Sequence, residues 1–123
     1  MKRIFVFGNP LIKEDCAAVK LLPALRKEFP DFDFRVCEPD ELPLGEEVCI
    51  IDTAKNISKP VLLKSIDGII AEPTLSAHGL DLSLTLKLMK KAGLLKGLMI
   101  FCVPEKPCAK EVIALLRKHL SPI

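Results

Sequence analysis

Three polar residues in this chain have the types and the placement to do chemistry together: Asp15, Asp52 and His78. Each follows or ends an apolar run, and two carboxylates with one imidazole make an oxygen-and-nitrogen donor set. Such a set suits zinc, nickel or iron rather than copper(I). Three protein donors also leave a coordination position open for water or substrate, as catalytic metals require. Each residue has a plainer reading as well. Asp15 can stabilise the first turn of a helix through the macrodipole, Asp52 can cap the following turn, and His78 beside Gly79 can be a loop residue. The five cysteines (Cys16, Cys37, Cys49, Cys102, Cys108) contain no CxxC pair, so a zinc knuckle is not indicated. Cys37, Cys49 and Cys102 sit in apolar runs, where a buried, inert thiol is expected. Cys16 is adjacent to Asp15 and reads as a packed thiol before it reads as an extra soft ligand.

The elements that must position these groups follow from periodicity and punctuation. Residues 3–7 form a buried strand ended by Gly8-Asn9-Pro10. Helical spacing runs over 14–28, with Pro23 predicting a kink or break. Residues 33–37 read as a short edge strand, 48–52 as the central strand, and 67–71 and 98–103 as two more. Pro107 introduces a helix over 109–119 with an apolar stripe of Val112, Ile113, Leu115, Leu116 and Leu120. Residues 80–88 alternate leucine with polar residues, the period of a strand. Leu, Lys and Met nevertheless favour helix, Thr85 is the only β-branched residue, and Gly93 supplies a stop. A crossover is also needed between the flanking strands, so the segment is predicted to be a helix with two apolar stripes.

Strands alternating with helices predict an α/β fold, a three-layer α/β/α sandwich around a five-stranded, mostly parallel sheet of the phosphorylase/hydrolase-like kind. Ligands in such folds bind outside the carboxyl ends of the strands. That rule selects residues 8–15, Asp52, 72–78 and 104–106.

The composition narrows the function classes. The 123 residues suit one domain spanning 1–123, 50% are hydrophobic, and the net charge is +2. With 18 basic against 16 acidic residues and no Trp or Tyr, nothing suggests a nucleic-acid surface or a base-stacking platform. The apolar run after Met1-Lys2-Arg3 stops at Gly8, short of a signal core, and no run is long enough to span a membrane. A cytoplasmic location is expected, where five cysteines would not form a disulfide framework. No Ser or Cys nucleophile motif with a partnered His is present, and no Gly-rich phosphate loop follows the first strand.

The wording around the three polar residues is informative. Phe7-Gly8-Asn9-Pro10-Leu11-Ile12-Lys13-Glu14-Asp15 resembles the Gly-Asn-x-Leu-x-x-acid-acid signature of the hydrogenase maturation endopeptidases. Ile50-Ile51-Asp52 is similar to that family's strand-ending Asp, and Ser76-Ala77-His78-Gly79-Leu80 to its Ser-x-His-x-Leu stretch. The three occur in family order, across nearly the whole chain. In place of the Gly-x-Gly that usually follows the acidic pair, this chain has Cys16-Ala17-Ala18. The resemblance implies an endopeptidase that trims a C-terminal extension from the precursor large subunit of a [NiFe] hydrogenase after nickel insertion. It implies Asp15, Asp52 and His78 as catalytic, metal-binding residues, with nickel, which the substrate can supply, or zinc as the metal. A small chain docking a larger precursor is expected to work as a monomer. Glu14, Glu72 and a group of the substrate itself are the candidates for general base, and the sequence does not choose among them. Two rivals carry other functions. A receiver-like phosphoacceptor domain would use Asp52, Thr74 and Lys106-Pro107 but has no use for His78, and a non-catalytic metal-binding chaperone module would bind without cleaving.

Overall fold

The computed structural model of the chain describes residues 2–8, 16–38, 41–54, 57–64 and 79–120. Five strands form one sheet in the order β2-β1-β3-β5-β4: β1 is Lys2–Val6, β2 Phe32–Val36, β3 Glu46–Ala54, β4 Val61–Leu63 and β5 Leu95–Pro104. The pairs β1/β2, β1/β3 and β3/β5 are parallel, and β4 runs antiparallel to β5 at the edge. The helices among the described residues are α1 (Ala17–Lys20), α2 (Leu22–Glu28), α3 (Gly79–Lys91) and α4 (Ala109–His119).

Two apolar clusters divide the molecule into the expected three layers. On one face, Ile4, Val6, Cys49, Ile51, Phe101 and Val103 pack with α1, α2 and α4 through Ala18, Leu25, Val112 and Leu116. On the other, Phe5, Phe7, Val48, Ile50, Ile100 and Cys102 pack with Leu86 and Met89 of α3 and with Leu42. Successive strand residues alternate between these clusters, which is the pleat of a sheet covered on both sides. The central runs Ile4–Phe7, Val48–Ile51 and Ile100–Val103 are consequently apolar throughout, whereas the edge strand β2 alternates Phe32, Asp33, Phe34 and Arg35.

The kink or break expected at Pro23 is a break: the segment divides into two helices at Leu21, two residues earlier. A proline at 23 has no N–H for the Val19 carbonyl, so the first helix cannot continue past it. Pro23 sits in the first turn of α2, where the missing donor has no intrahelical partner to lose. The contested segment is a helix, α3, and its end follows from sequence. Gly93 takes φ +74°, Leu94 N–H donates to the Met89 carbonyl at 2.8 Å, and Gly93 N–H donates to that of Lys90 at 3.1 Å. This is the Schellman arrangement that glycine permits at lowest cost. Leu86 is fully buried while Leu84 and Leu88 are 58% and 59% exposed, so only one of the two leucine stripes faces the sheet.

Two differences from the expected strands matter. β3 runs on through Thr53 and Ala54, so Asp52 lies within the strand rather than at its end. The short strand β4 was not expected from sequence, and the expected strand over 67–71 lies outside the described residues. None of the five cysteines, all of them among the described residues, forms a disulfide. Among the described residues no helix is long and apolar enough to cross a membrane.

Candidate functional site

The topology itself marks one place. From β1 the chain moves outward to β2 on one side, whereas from β3 it moves toward β5 on the other. The crevice between the carboxyl ends of β1 and β3 is therefore the switch point, where open α/β sheets bind their ligands. Asp52 stands there. It and Thr53 are the only polar residues among the described buried set, at 0% and 1% exposure.

Local geometry explains how a carboxylate is held at this position. Phe7 N–H donates to the Ile51 carbonyl at 2.9 Å, which is the last rung between the β1 segment and β3 among the described residues. N–H groups pointing to the same side recur every second residue, so Thr53 N–H points past the end of β1. Asp52 Oδ1 accepts it at 2.8 Å. The carboxylate thus occupies a donor that the sheet leaves over, and its orientation is fixed by its own backbone.

Asp52 shares its face with Ile50 and Ala54, toward α3, while Thr53 faces α1. The Thr53 hydroxyl accepts the Ala18 N–H at 3.1 Å in a buried setting. Ala18 is the second residue of α1, whose first N–H groups have no acceptor inside the helix. Ala17 and Ala18 are 2% and 0% exposed and belong to the α1/α2/α4 cluster. Their methyl groups fill core space.

Cys102 is the register partner of Asp52 on β5. Burial, and secondarily the Asp52 charge, push its thiol up to about 12. It stays an S–H group at neutral pH and so is a poor nucleophile. Cys49 and Cys16 are likewise buried, Cys37 is half-buried and Cys108 is exposed. One rung beyond the Asp52/Cys102 pair, Ala54 faces Pro104, roughly 7 Å further along the strands. These two residues, with Ile57, Ser58, Glu105 and Lys106, line an open cleft of about 440 Å³.

Of the three predicted site residues, the structure describes Asp52 alone. Asp15 and His78 lie outside the described residues, as do Glu14, Glu72 and Thr74. In sequence, Asp15 directly precedes Cys16, the N-cap of α1, and His78 directly precedes Gly79, the first residue of α3. Among the described residues no group of three or more His, Cys, Asp or Glu could hold a metal ion. Thr53 and Cys102 were not singled out from sequence as neighbours of the site; only the strand register and a contact across 35 residues reveal them.

The sheet also separates this chain from a receiver. Receivers of the doubly wound type use the strand order 2-1-3-4-5 with all strands parallel; among the described residues β4 lies outside β5 and runs antiparallel to it.

Comparison with known proteins agrees with that topology. No family model and no curated protein sequence matches the chain. Two solved structures share its fold. The hydrogenase maturating endopeptidase HybD from E. coli superposes with a TM-score of 0.62 at 16% identity, over 96% of this chain and 93% of that one. An endopeptidase from Escherichia coli, determined in solution, superposes with a TM-score of 0.66 at 19% identity, over 94% and 93%.

Proposed function

We propose that the protein is a metal-dependent endopeptidase that removes the C-terminal extension of a [NiFe] hydrogenase large-subunit precursor once nickel has been inserted. The observation that carries this reading is Asp52. A fully buried carboxylate, oriented by a backbone donor at the switch point of the sheet, is costly to a fold unless it serves a purpose. The two solved structures of like fold, one titled a hydrogenase maturating endopeptidase, support the choice of reaction.

In this proposal Asp15, Asp52 and His78 hold the metal. The fit rests on Asp52, a hard oxygen donor whose carboxylate is oriented by the Thr53 N–H. Nickel carried by the substrate is favoured as the metal, with zinc as the resident alternative. When bound, the ion supplies Lewis acidity toward the scissile carbonyl. The chain's own groups do the rest. Asp52, clamped by Thr53 N–H, presents one fixed carboxylate and loses no rotamer freedom when substrate arrives. Water adds to the carbonyl carbon, the C–N bond breaks, and the leaving amine takes a proton. Glu14 and Glu72 are the candidates for moving that proton. The cleft lined by Ala54 and Pro104, two residues beyond Asp52 and Cys102 along the strands, is the place this proposal gives to the chain flanking the scissile bond. A single domain acting as a cytoplasmic monomer on a larger precursor completes the proposal.

The test is intact-mass spectrometry of a cognate, nickel-loaded precursor incubated with the protein, beside a nickel-free control. Loss of a C-terminal peptide from the loaded sample alone is expected. An unchanged mass in the loaded sample would remove the peptidase reading and leave the binding-module one.

A further inference from the structure

We propose that Thr53 is a positioning residue: its hydroxyl fixes the start of α1, and with it the chain that carries Asp15, against the strand that carries Asp52. The inference rests on the peptidase reading, since it takes the two carboxylates to serve one substrate.

Thr53 touches both halves of the candidate site. Its backbone N–H donates to Asp52 Oδ1 at 2.8 Å, and its side-chain Oγ1 accepts from Ala18 N–H at 3.1 Å. The two bonds lie on opposite sides of the sheet, because successive strand side chains alternate. Thr53 therefore does not reach the α3 face on which Asp52 lies, and it acts through its neighbours. Helix α1 has only four residues, far too few to hold its own geometry. Its buried alanines supply adhesion without direction, since apolar burial is non-directional. The bond from Ala18 to Thr53 supplies the direction. In sequence Asp15 stands three residues before Ala18 and directly precedes Cys16, the N-cap from which α1 starts.

The comparison of Thr53→Val with Thr53→Ser isolates this role. Valine keeps the branched shape and removes the acceptor; serine keeps the acceptor and loses a methyl. The Thr53→Ala variant, differing from Thr53→Ser by the hydroxyl alone, makes the same comparison if valine does not fold.

Two readouts are taken on the folded variants. The first is hydrogen exchange of the Ala18 amide, which is expected to accelerate by about fivefold or more in the valine or alanine variant and to stay near wild type in serine. The second is cleavage of the nickel-loaded cognate precursor. There kcat is expected to fall roughly 10- to 100-fold without the hydroxyl while KM holds, with serine rescuing the rate. Unchanged Ala18 exchange without the hydroxyl overturns the proposal. So does wild-type kcat in the valine variant, or an equal loss in serine and valine. If the wild-type protein itself fails to cleave, the peptidase reading falls, and the exchange measurement still decides whether Thr53 positions α1.

Discussion

Replacing Cys102 by alanine should change the alkaline stability of the protein in a way that reports on its neighbour Asp52. The Cys102 thiol has an ordinary value of 9.0 and is pushed up to about 12 in the folded chain, first by burial and then by the Asp52 charge. Between those values the unfolded chain releases the thiol proton and the folded chain keeps it. Unfolding then releases a proton, so folded stability falls as pH rises from 9 toward 12 and is unaffected by this group below 9. The slope from one such group approaches about 1.4 kcal/mol for each pH unit, giving an upper bound near 4 kcal/mol across the window. Urea unfolding at pH 8, 9, 10 and 11, each at about 25 °C, measures it. The wild-type free energy should drop more steeply than that of Cys102→Ala above pH 9. Asp52→Asn should fall between the two, since it removes the smaller cause and leaves the burial. Parallel curves for wild type and Cys102→Ala would refute the assignment of a buried, protonated thiol beside a charged Asp52.

Three further outcomes follow from packing. Leu116→Ala, at a fully buried α4 position shared by the sheet and α2, should cost about 2–5 kcal/mol in denaturant unfolding, whereas Leu88→Ser on the exposed stripe of α3 should cost less than about 0.5 kcal/mol. Arg117 donates to Glu28 at 2.9 Å and sits 5.6 Å from the Phe29 ring centre, joining α4 to α2 at the surface; Arg117→Ala should cost about 1 kcal/mol or less, and the loss should shrink in high salt. Gly93→Ala should cost roughly 1–2 kcal/mol despite open space around the site, because φ is +74° there; a thermal melt unchanged from wild type would contradict the Schellman account.

How much of this was legible in the sequence depends on where the determining force acts. The core of β3 was legible because Val48, Cys49, Ile50 and Ile51 are apolar enough to require burial on both faces. Its true ends were not. Glu46 and Glu47 belong to the strand through pairing with β5, and Thr53 and Ala54 continue the same ladder past a carboxylate that suggested a stop. β4 is only Val61-Leu62-Leu63 between Pro60 and Lys64, too short for a period, and its existence is owed to antiparallel pairing with β5. α4 emerged with the expected bounds, 109–119, since its stripe and its leading proline are local signals. The division at Leu21 was legible as a break and displaced by two residues, because proline acts on the turn before it. Asp52 was legible as a polar end to an apolar run. The Thr53–Ala18 bond that braces the site was not, since no local pattern couples residues 35 apart.

The most direct measurement is the cleavage rate of a nickel-loaded cognate precursor by Asp52→Asn beside wild type, followed by intact mass and with folding checked by circular dichroism. Asparagine keeps the shape and the Oδ1 acceptor for Thr53 N–H and removes the charge. Efficient trimming by wild type is expected, with a rate at least ~100-fold lower for a folded variant. Equal rates for the two proteins would contradict the claim that Asp52 is part of the catalytic machinery.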